Sequence, residues 1–403
     1  MKKIIFINRF FYPDQSATSQ ILSDLLFNIQ SEINAELHVV TSRNSYQGDK
    51  RFLASEIING VKVHRIWASN FGRSFLPGRA LDYLSFYISA LFTLLLLTRK
   101  DDILIAKTDP PVISFFAFIV CKCKKGILIN WLQDLFPEVA VELGFIKSNS
   151  IQCRLLKYIK DVSLRAAVKN VAIGEKMVLK INAAGVLREK IIAIPNWNVN
   201  DDTTYVEKAV NPLVKEWGLN GKFVISYSGN FGRAHEYEPV CALINKLKDM
   251  NDLVFLFIGG GKYYDDLMVY VENNNINNVI FKPYQPREVL NQSLSVADIH
   301  LISLRPELEG LIVPSKFFGL ASIGALVLYL GDCQGEIGSI IRTHDCGICC
   351  NSADIDVIVE ILNNIKAHSQ ISHLLRTNIK KIYLDKYQPR MAYAAWARLL
   401  NEI

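Results

Sequence analysis

The sequence predicts an α/β protein built of two doubly wound domains. Three observations carry that expectation. Short continuous apolar runs recur along the chain with amphipathic stretches between them, the pattern of a parallel sheet covered on both faces. The alternation breaks once near the middle of the chain and then restarts. At 403 residues the chain is also longer than one hydrophobic core usually serves.

The elements are expected in the following order. Residues 4–8 form a first strand, and 16–31 a helix that gathers Ile21, Leu22, Leu25, Leu26 and Ile29 on one face. Strands follow at 37–41, 61–67, 103–107, 127–132, 170–173 and 191–194. The stretch 198–211 (NVNDDTTYVEKAVN) is polar, acidic and without helical period, so it is read as a linker. Beyond it, strands are expected at 223–227, 253–258, 279–281, 299–303, 326–330 and 347–349, with helices such as 237–249 and 262–273. A last amphipathic helix, 389–400, carries Tyr393, Trp396, Leu399 and Leu400 on its apolar side. The domains are therefore placed at 1–198 and 199–387, with helix 388–403 packing back on the first. Two such domains put a ligand in the crevice between them, where the carboxyl ends of their strands meet.

Composition narrows the function. The net charge of +6 is modest and spread along the chain, and there is no zinc-finger or RNA-binding signature, so nucleic acid is not the expected partner. Half the residues are hydrophobic and 21% charged, which excludes broad disorder. The eight cysteines, among them Cys121, Cys123, Cys346, Cys349 and Cys350, read as scattered reduced thiols of a cytosolic protein. Met1-Lys2-Lys3 leads directly into the first apolar strand, so no signal peptide is expected. Residues 83–98 (YLSFYISALFTLLLLT) carry no charge, follow Arg73, Arg79 and Asp82, and precede Arg99 and Lys100. A second apolar run, 111–120, ends in CKCKK. The first run is a little short for a membrane span of about 20 residues. It can be a buried core helix, a helix partly facing lipid with its cations on anionic headgroups, or a spanning helix.

Four segments fall where a crevice would be lined. FYPDQSAT follows the first strand; its small residues admit a substrate and Ser16 can cap the helix. It is not GxGxxG, which argues against a dinucleotide site. WLQDLFPE brings Asp134 directly from a strand end, while Glu138 can either act beside it or simply favour the helix start behind Pro137. YSGNFGRAHE joins a strand to a helix start, with Gly229 and Gly232 for close approach of a phosphate and Arg233 and His235 as donors. In ELEGLIVPSKFFG, Lys316 stands in a first helical turn, where a cation opposes the helix dipole unless it faces an anion. No HExxH, Walker lysine loop, EF-hand or metal-spaced histidine occurs, so the donors on offer suit a diphosphate without a metal.

At these segments the chain resembles the family 4 glycosyltransferases of the GT-B fold, two Rossmann-like domains facing each other across a cleft. It is nearest the bacterial subgroup that adds fucose or N-acetylfucosamine-type sugars in O-antigen and colanic-acid synthesis. FYPDQSATSQ, WLQDLFPEVAVELG, IPNWNV, YSGNFGRAHEYE and IVPSKFFGLASIG with LGDCQGEIG carry the resemblance over nearly the whole chain. It implies a nucleoside-diphosphate-sugar donor held by the C-terminal domain, retention at the anomeric carbon, no cofactor or metal, and a lipid-linked saccharide acceptor. It further implies a peripheral enzyme on an anionic membrane surface, at the cytoplasmic face. Arg233, His235 and Lys316 would then neutralise the diphosphate, with Gly229, Asn230, Gly232 and Ser315 in close contact. Glu309 lies nearby and is counted with these donor residues. Asp134 would touch donor sugar or acceptor, and Asp14, Ser16, Ala17 and Glu138 would line the acceptor side. Two departures stand out. Asn230 and His235 occupy positions where the broader family has arginine and lysine. Leu311 and Gly319 replace its pair of glutamates. A sugar-nucleotide epimerase of the same fold, or a non-catalytic sugar-nucleotide-binding partner, are the alternatives.

Overall fold

A computed structural model describes residues 2–48, 50–72, 76–199 and 204–403. Arg73 of the cationic flank and residues 200–203 of the expected linker lie outside them. The chain forms two compact units: residues 1–199 with 310–312 and 389–403, and residues 200–309 with 313–388.

The first unit holds eight strands: β1 (Lys3–Ile7), β2 (Glu36–Ser42), β3 (Ser55–Ile58), β4 (Val61–Ile66), β5 (Ile103–Lys107), β6 (Ile127–Trp131), β7 (Lys169–Ala172) and β8 (Ile191–Ala193). Their order is β3-β4-β2-β1-β5-β6-β7-β8, parallel throughout except for β3 against β4. β3 is absent from the expected elements, yet its hairpin has a visible signal: Asn59-Gly60 between Ile58 and Val61, at φ of 44° and 75°. The central strands bury both faces. Ile4 and Phe6 meet helices Ala17–Ile29 and Pro389–Glu402, whereas Ile5 and Ile7 meet Phe86, Ala90 and Leu94.

The second unit holds six parallel strands, β9 (Phe223–Asn230), β10 (Leu253–Gly260), β11 (Val279–Lys282), β12 (Ile299–Ser303), β13 (Val327–Leu330) and β14 (Ile348–Cys350), in the order β11-β10-β9-β12-β13-β14. In each sheet the order reverses once, between β1 and β5 and between β9 and β12. Open α/β sheets offer a ligand the space beyond such a switch point, at the carboxyl ends of the two strands.

Three expectations need correction. β9 runs on to Asn230, so Gly229 and Asn230 belong to a strand paired with Gly259 and Gly260 and are not in the turn. Cys333 and Cys349 form a disulfide, so the thiols are not all free. The apolar helix spans Leu76–Leu97, longer than the 83–98 run, and is long and apolar enough to cross a membrane, with 22% of its window buried. It is not a buried core helix, because Leu81, Leu84, Ile88, Phe92 and Leu96 are 48–89% exposed while Phe86, Tyr87, Ala90 and Leu94 face the sheet.

Candidate functional site

In the second unit the switch point is occupied by a cation. Lys316 begins the short helix Lys316–Ser322, but its side chain turns inward and its ammonium donates to the Tyr227 hydroxyl. Its Nζ also lies 3.6 Å from the centroid of the Tyr227 ring. Burial drives the Lys316 pKa well below that of a free lysine. The space it uses is made by Gly229: a Cβ there would come within 2.9 Å of the Lys316 Cε, and the strand adopts φ of 117° at that point. Gly259, at φ of 134°, lies under the same strand end, where a Cβ would meet the Gly229 carbonyl. Small residues at the two strand ends thus leave backbone and one ammonium at the surface of the site.

Tyr227 is fixed from behind. Its hydroxyl lies 2.8 Å from the Asn230 carbonyl and 3.0 Å from His235 Nε2. His235 Nδ1 lies 2.7 Å from the Ser303 carbonyl, which can only accept, so Nδ1 carries the proton; the Tyr227 hydroxyl gives its one hydrogen to the Asn230 carbonyl and stays in contact with Nε2. His235 is expected from the sequence to be a cation for the diphosphate. That expectation is corrected: burial, helped by the neighbouring Lys316, lowers its pKa to about 4, and it is neutral at physiological pH. Its place is to hold Tyr227, and through it Lys316, against the end of β12.

The other donor-side residues divide. Asn230 and Arg233 are exposed on the same strand end and loop, Gly232 is half-buried between them, and the loop is tied to Arg305 through the Ala234 carbonyl. Ser315 is exposed at the helix start, without a side-chain cap bond. Glu309 is 9% exposed. One of its oxygens accepts from Tyr329 at 2.5 Å and the other from the Glu336 N–H at 3.0 Å, so both are engaged in fixing the start of helix Glu336–His344. The helix after the glycine turn begins at Tyr237, and its positive end already faces Glu236 and Glu238, so the cation for an anion comes from Lys316. Tyr227, Ser303 and Gly259 were not legible as site residues. The run Gly259-Gly260-Gly261 after an apolar strand was the signal for the last of them.

In the first unit the switch point gathers three loops. Lys107 is buried at the end of β5, 4.0 Å over the Trp131 ring, and donates to the Thr18 carbonyl at 3.1 Å. Burial brings its pKa down to about 7. Thr18 in turn donates to Asp109 at 3.4 Å, and Gln133 N–H to Thr108 at 3.4 Å. Asp134 follows, lining a small cavity with Lys107, Thr108 and Lys160. Its Oδ1 is buried without a hydrogen-bond partner among the described residues, and burial pushes its pKa up to about 6. Such a carboxylate is able to accept a proton near neutrality.

The remaining acceptor-side residues mostly serve the loop. Asp14 accepts from the N–H groups of Ser16 and Tyr46, one on each oxygen. Ser16 sits at the N-cap of helix Ala17–Ile29 but makes no side-chain cap bond, correcting the expected capping role; its Oγ is buried without a partner among the described residues. Ala17 is exposed beside it. Glu138 is ion-paired with Lys160 at the start of helix Glu138–Glu142, which is its structural reading.

Asp134 gives a pH-dependent expectation. A carboxyl whose folded pKa is raised stabilises the fold fully below its unfolded pKa and loses that contribution as pH rises through about 6. Asp134→Asn is therefore expected to be more stable than the parent at pH 8 by on the order of 2–3 kcal/mol, the difference vanishing near pH 4. Urea denaturation at both pH values checks this; equal stability at pH 8 would contradict it.

No protein-family model matches the chain. It is 25% identical over 302 residues, 74% of each chain, to WbjE of Pseudomonas aeruginosa, named as a probable glycosyltransferase. It is 25% identical over 287 residues, 70% of each chain, to WcaI of Escherichia coli (strain K12), whose name assigns it provisionally as a colanic acid biosynthesis glycosyl transferase. Among solved structures, HepE of Anabaena in complex with UDP matches with a TM-score of 0.73 at 12% identity over all of both chains. WaaG, a glycosyltransferase involved in lipopolysaccharide biosynthesis, matches with 0.71 at 11% identity over 98% of this chain and 99% of that one. Two Rossmann-like α/β domains with parallel sheets, matched in these structures, give the chain a fold of GT-B type, and its sequence relatives carry glycosyltransferase names.

Proposed function

We propose that the chain is a retaining glycosyltransferase acting in O-antigen, capsule or exopolysaccharide synthesis. In this reading it moves a sugar of fucose or N-acetylfucosamine type from a UDP- or GDP-linked donor to a lipid-linked saccharide, at the inner face of the cytoplasmic membrane. The observation that carries it is Lys316, drawn over Tyr227 at the switch point of the second sheet with Gly229 cleared beneath it. A buried ammonium set against a phenol suits a departing diphosphate, whose charge grows as the glycosidic bond breaks. Arg233 adds a second, exposed cation on the adjoining loop, so the charge is met without a metal. The names of WbjE and WcaI support the reaction class, and the UDP bound by HepE supports the donor class. The sugar type rests on the resemblance of the loops. The exposed stripe of helix Leu76–Leu97 supports the membrane location, since an apolar face flanked by cations binds an anionic interface.

A panel of nucleotide sugars tests this by thermal shift, followed by transfer to lipid-linked saccharides. One donor is expected to raise the melting temperature by mass action. Arg233→Ala is expected to slow transfer by more than about tenfold, because it removes a charge-assisted hydrogen bond to the leaving group. Donor binding with no turnover on any acceptor would favour the non-catalytic partner. Nucleotide release that does not depend on acceptor would favour the epimerase.

A further inference from the structure

We propose that the first unit binds the diphosphate of its lipid-linked acceptor in the pocket lined by Arg9 and Arg79, whose guanidinium groups rest over the Tyr83 ring, a site that rests on the transferase reading above.

Arg9 follows β1 and is 8% exposed. Its Nη2 lies 3.7 Å from Asp82, while its Nε is buried and has no hydrogen-bond partner among the described residues. A buried guanidinium N–H left unpaired costs free energy, so the Arg9 charge is under-compensated where it stands. Arg79 is exposed at the rim and donates from Nε to the Tyr83 hydroxyl at 3.0 Å. Both guanidinium groups lie over the same Tyr83 ring, 5.0 Å and 5.4 Å from its centroid. Asp82 is the acid among them, and it is already engaged by the Ser69 hydroxyl at 2.7 Å and the Phe71 and Gly72 N–H groups at 3.0 and 3.3 Å. The pocket holds about 320 Å³ and is open to solvent, with Ser45, Gln47 and Asn70 among its lining residues. Two guanidinium groups against one committed carboxylate leave room and charge for two linked phosphates.

The position of the pocket selects the source of those phosphates. Arg79 and Tyr83 belong to the first two turns of helix Leu76–Leu97. At 100° per residue they stand opposite the exposed stripe Leu81, Leu84, Ile88, Phe92 and Leu96. A helix about 10–12 Å across, with its apolar face sunk roughly 5–10 Å into the interface, presents its other side at the depth of lipid phosphates. At its far end Arg99, Lys100, Lys122, Lys124 and Lys125 are all exposed, and Lys3 donates to the Leu97 carbonyl at 2.9 Å. Cations at both ends hold the helix flat, and the pocket then opens where an isoprenoid-type lipid diphosphate presents its head.

The test uses the intact protein and farnesyl diphosphate as probe, by titration calorimetry. Wild type is expected to bind it, farnesyl monophosphate to bind more weakly, and farnesol not at all. Arg79→Glu is expected to weaken farnesyl diphosphate binding at least tenfold, and saturating UDP to leave it in place. Equal affinity in wild type and Arg79→Glu, or displacement by UDP, would overturn the site. A tenfold loss of binding to phosphatidylglycerol vesicles without loss of farnesyl diphosphate binding would also overturn it, in favour of a phospholipid headgroup. Arg9→Lys tests the buried partner: a folded variant with unchanged affinity counts against the assignment, and if it fails to fold, Arg79→Glu decides alone. The transferase reading fails separately, by absence of any nucleotide sugar that binds. If it holds, Arg79→Glu raises KM for the lipid acceptor and leaves KM for the nucleotide sugar unchanged.

Discussion

Lys316→Met is expected to lower sugar transfer by about two orders of magnitude, the loss typical of one preorganised donor at a developing charge, and to raise the melting temperature of the ligand-free protein. The two effects have one cause. The ammonium is held in a buried place with the Tyr227 hydroxyl and ring as its partners, and burial disfavours its charged form. Under the proposed function a diphosphate would supply the missing counter-charge; without one the lysine costs stability. Replacing a poorly paired buried ion by an apolar side chain of similar length stabilises by about 1–2 kcal/mol, or roughly 2–8 °C for a domain of this size. The sign with pH follows. The depressed folded pKa means the unfolded chain binds the extra proton, so wild-type stability rises as pH increases toward the unfolded lysine pKa. The methionine variant lacks that slope, so its advantage is largest at low pH and shrinks as pH rises. Scanning calorimetry across pH and a transfer assay on the same samples measure both arms. Wild-type turnover in the variant would remove Lys316 from the site.

Trp396→Ala is expected to destabilise the first unit by about 3–5 kcal/mol, the cost of deleting a large side chain from a packed core. Trp396 is fully buried on helix Pro389–Glu402, its ring 4.6 Å from that of Trp131 and 6.4 Å from that of Phe6. It therefore joins the last helix of the chain to the ends of β6 and β1. Its indole nitrogen is buried with no partner among the described residues, so the loss is one of packing and not of a hydrogen bond. Trp396→Phe separates the two: it keeps most of the ring packing and removes the unpaired N–H, and it should cost less than half as much. Urea denaturation of both variants checks this. A small effect of the alanine change would mean that the last helix contributes little to the core.

The strands were legible because their apolar runs are long enough to be buried on both faces. Residues 103–107 and 299–303 fall where β5 and β12 are found. β3 was not, because Ser55–Ile58 is a half-exposed edge strand with no apolar run, and only Asn59-Gly60 marked its hairpin. At the site, Lys316 was legible as a cation in an unfavourable place on a helix. What that place would be was not. Its partner Tyr227 is 89 residues away, and His235 reads as a cation in sequence but is neutral once buried beside a lysine. Glu309 shows the same limit: proximity along the chain gave no sign that Tyr329 and the Glu336 N–H would engage both its oxygens.

The sequence by itself determined the two-fold α/β architecture, the four loops at the strand ends and the absence of a dinucleotide fingerprint, since each depends on local period, turn chemistry or spacing. Only the tertiary structure decided which charges remain available. It committed Asp14, Glu138 and Glu309 to partners, silenced His235, pushed Asp134 up to about 6 and drew Lys316 under cover. Charge at a site is set by burial and by neighbours distant in sequence, and neither is written in the residues that flank the charged one.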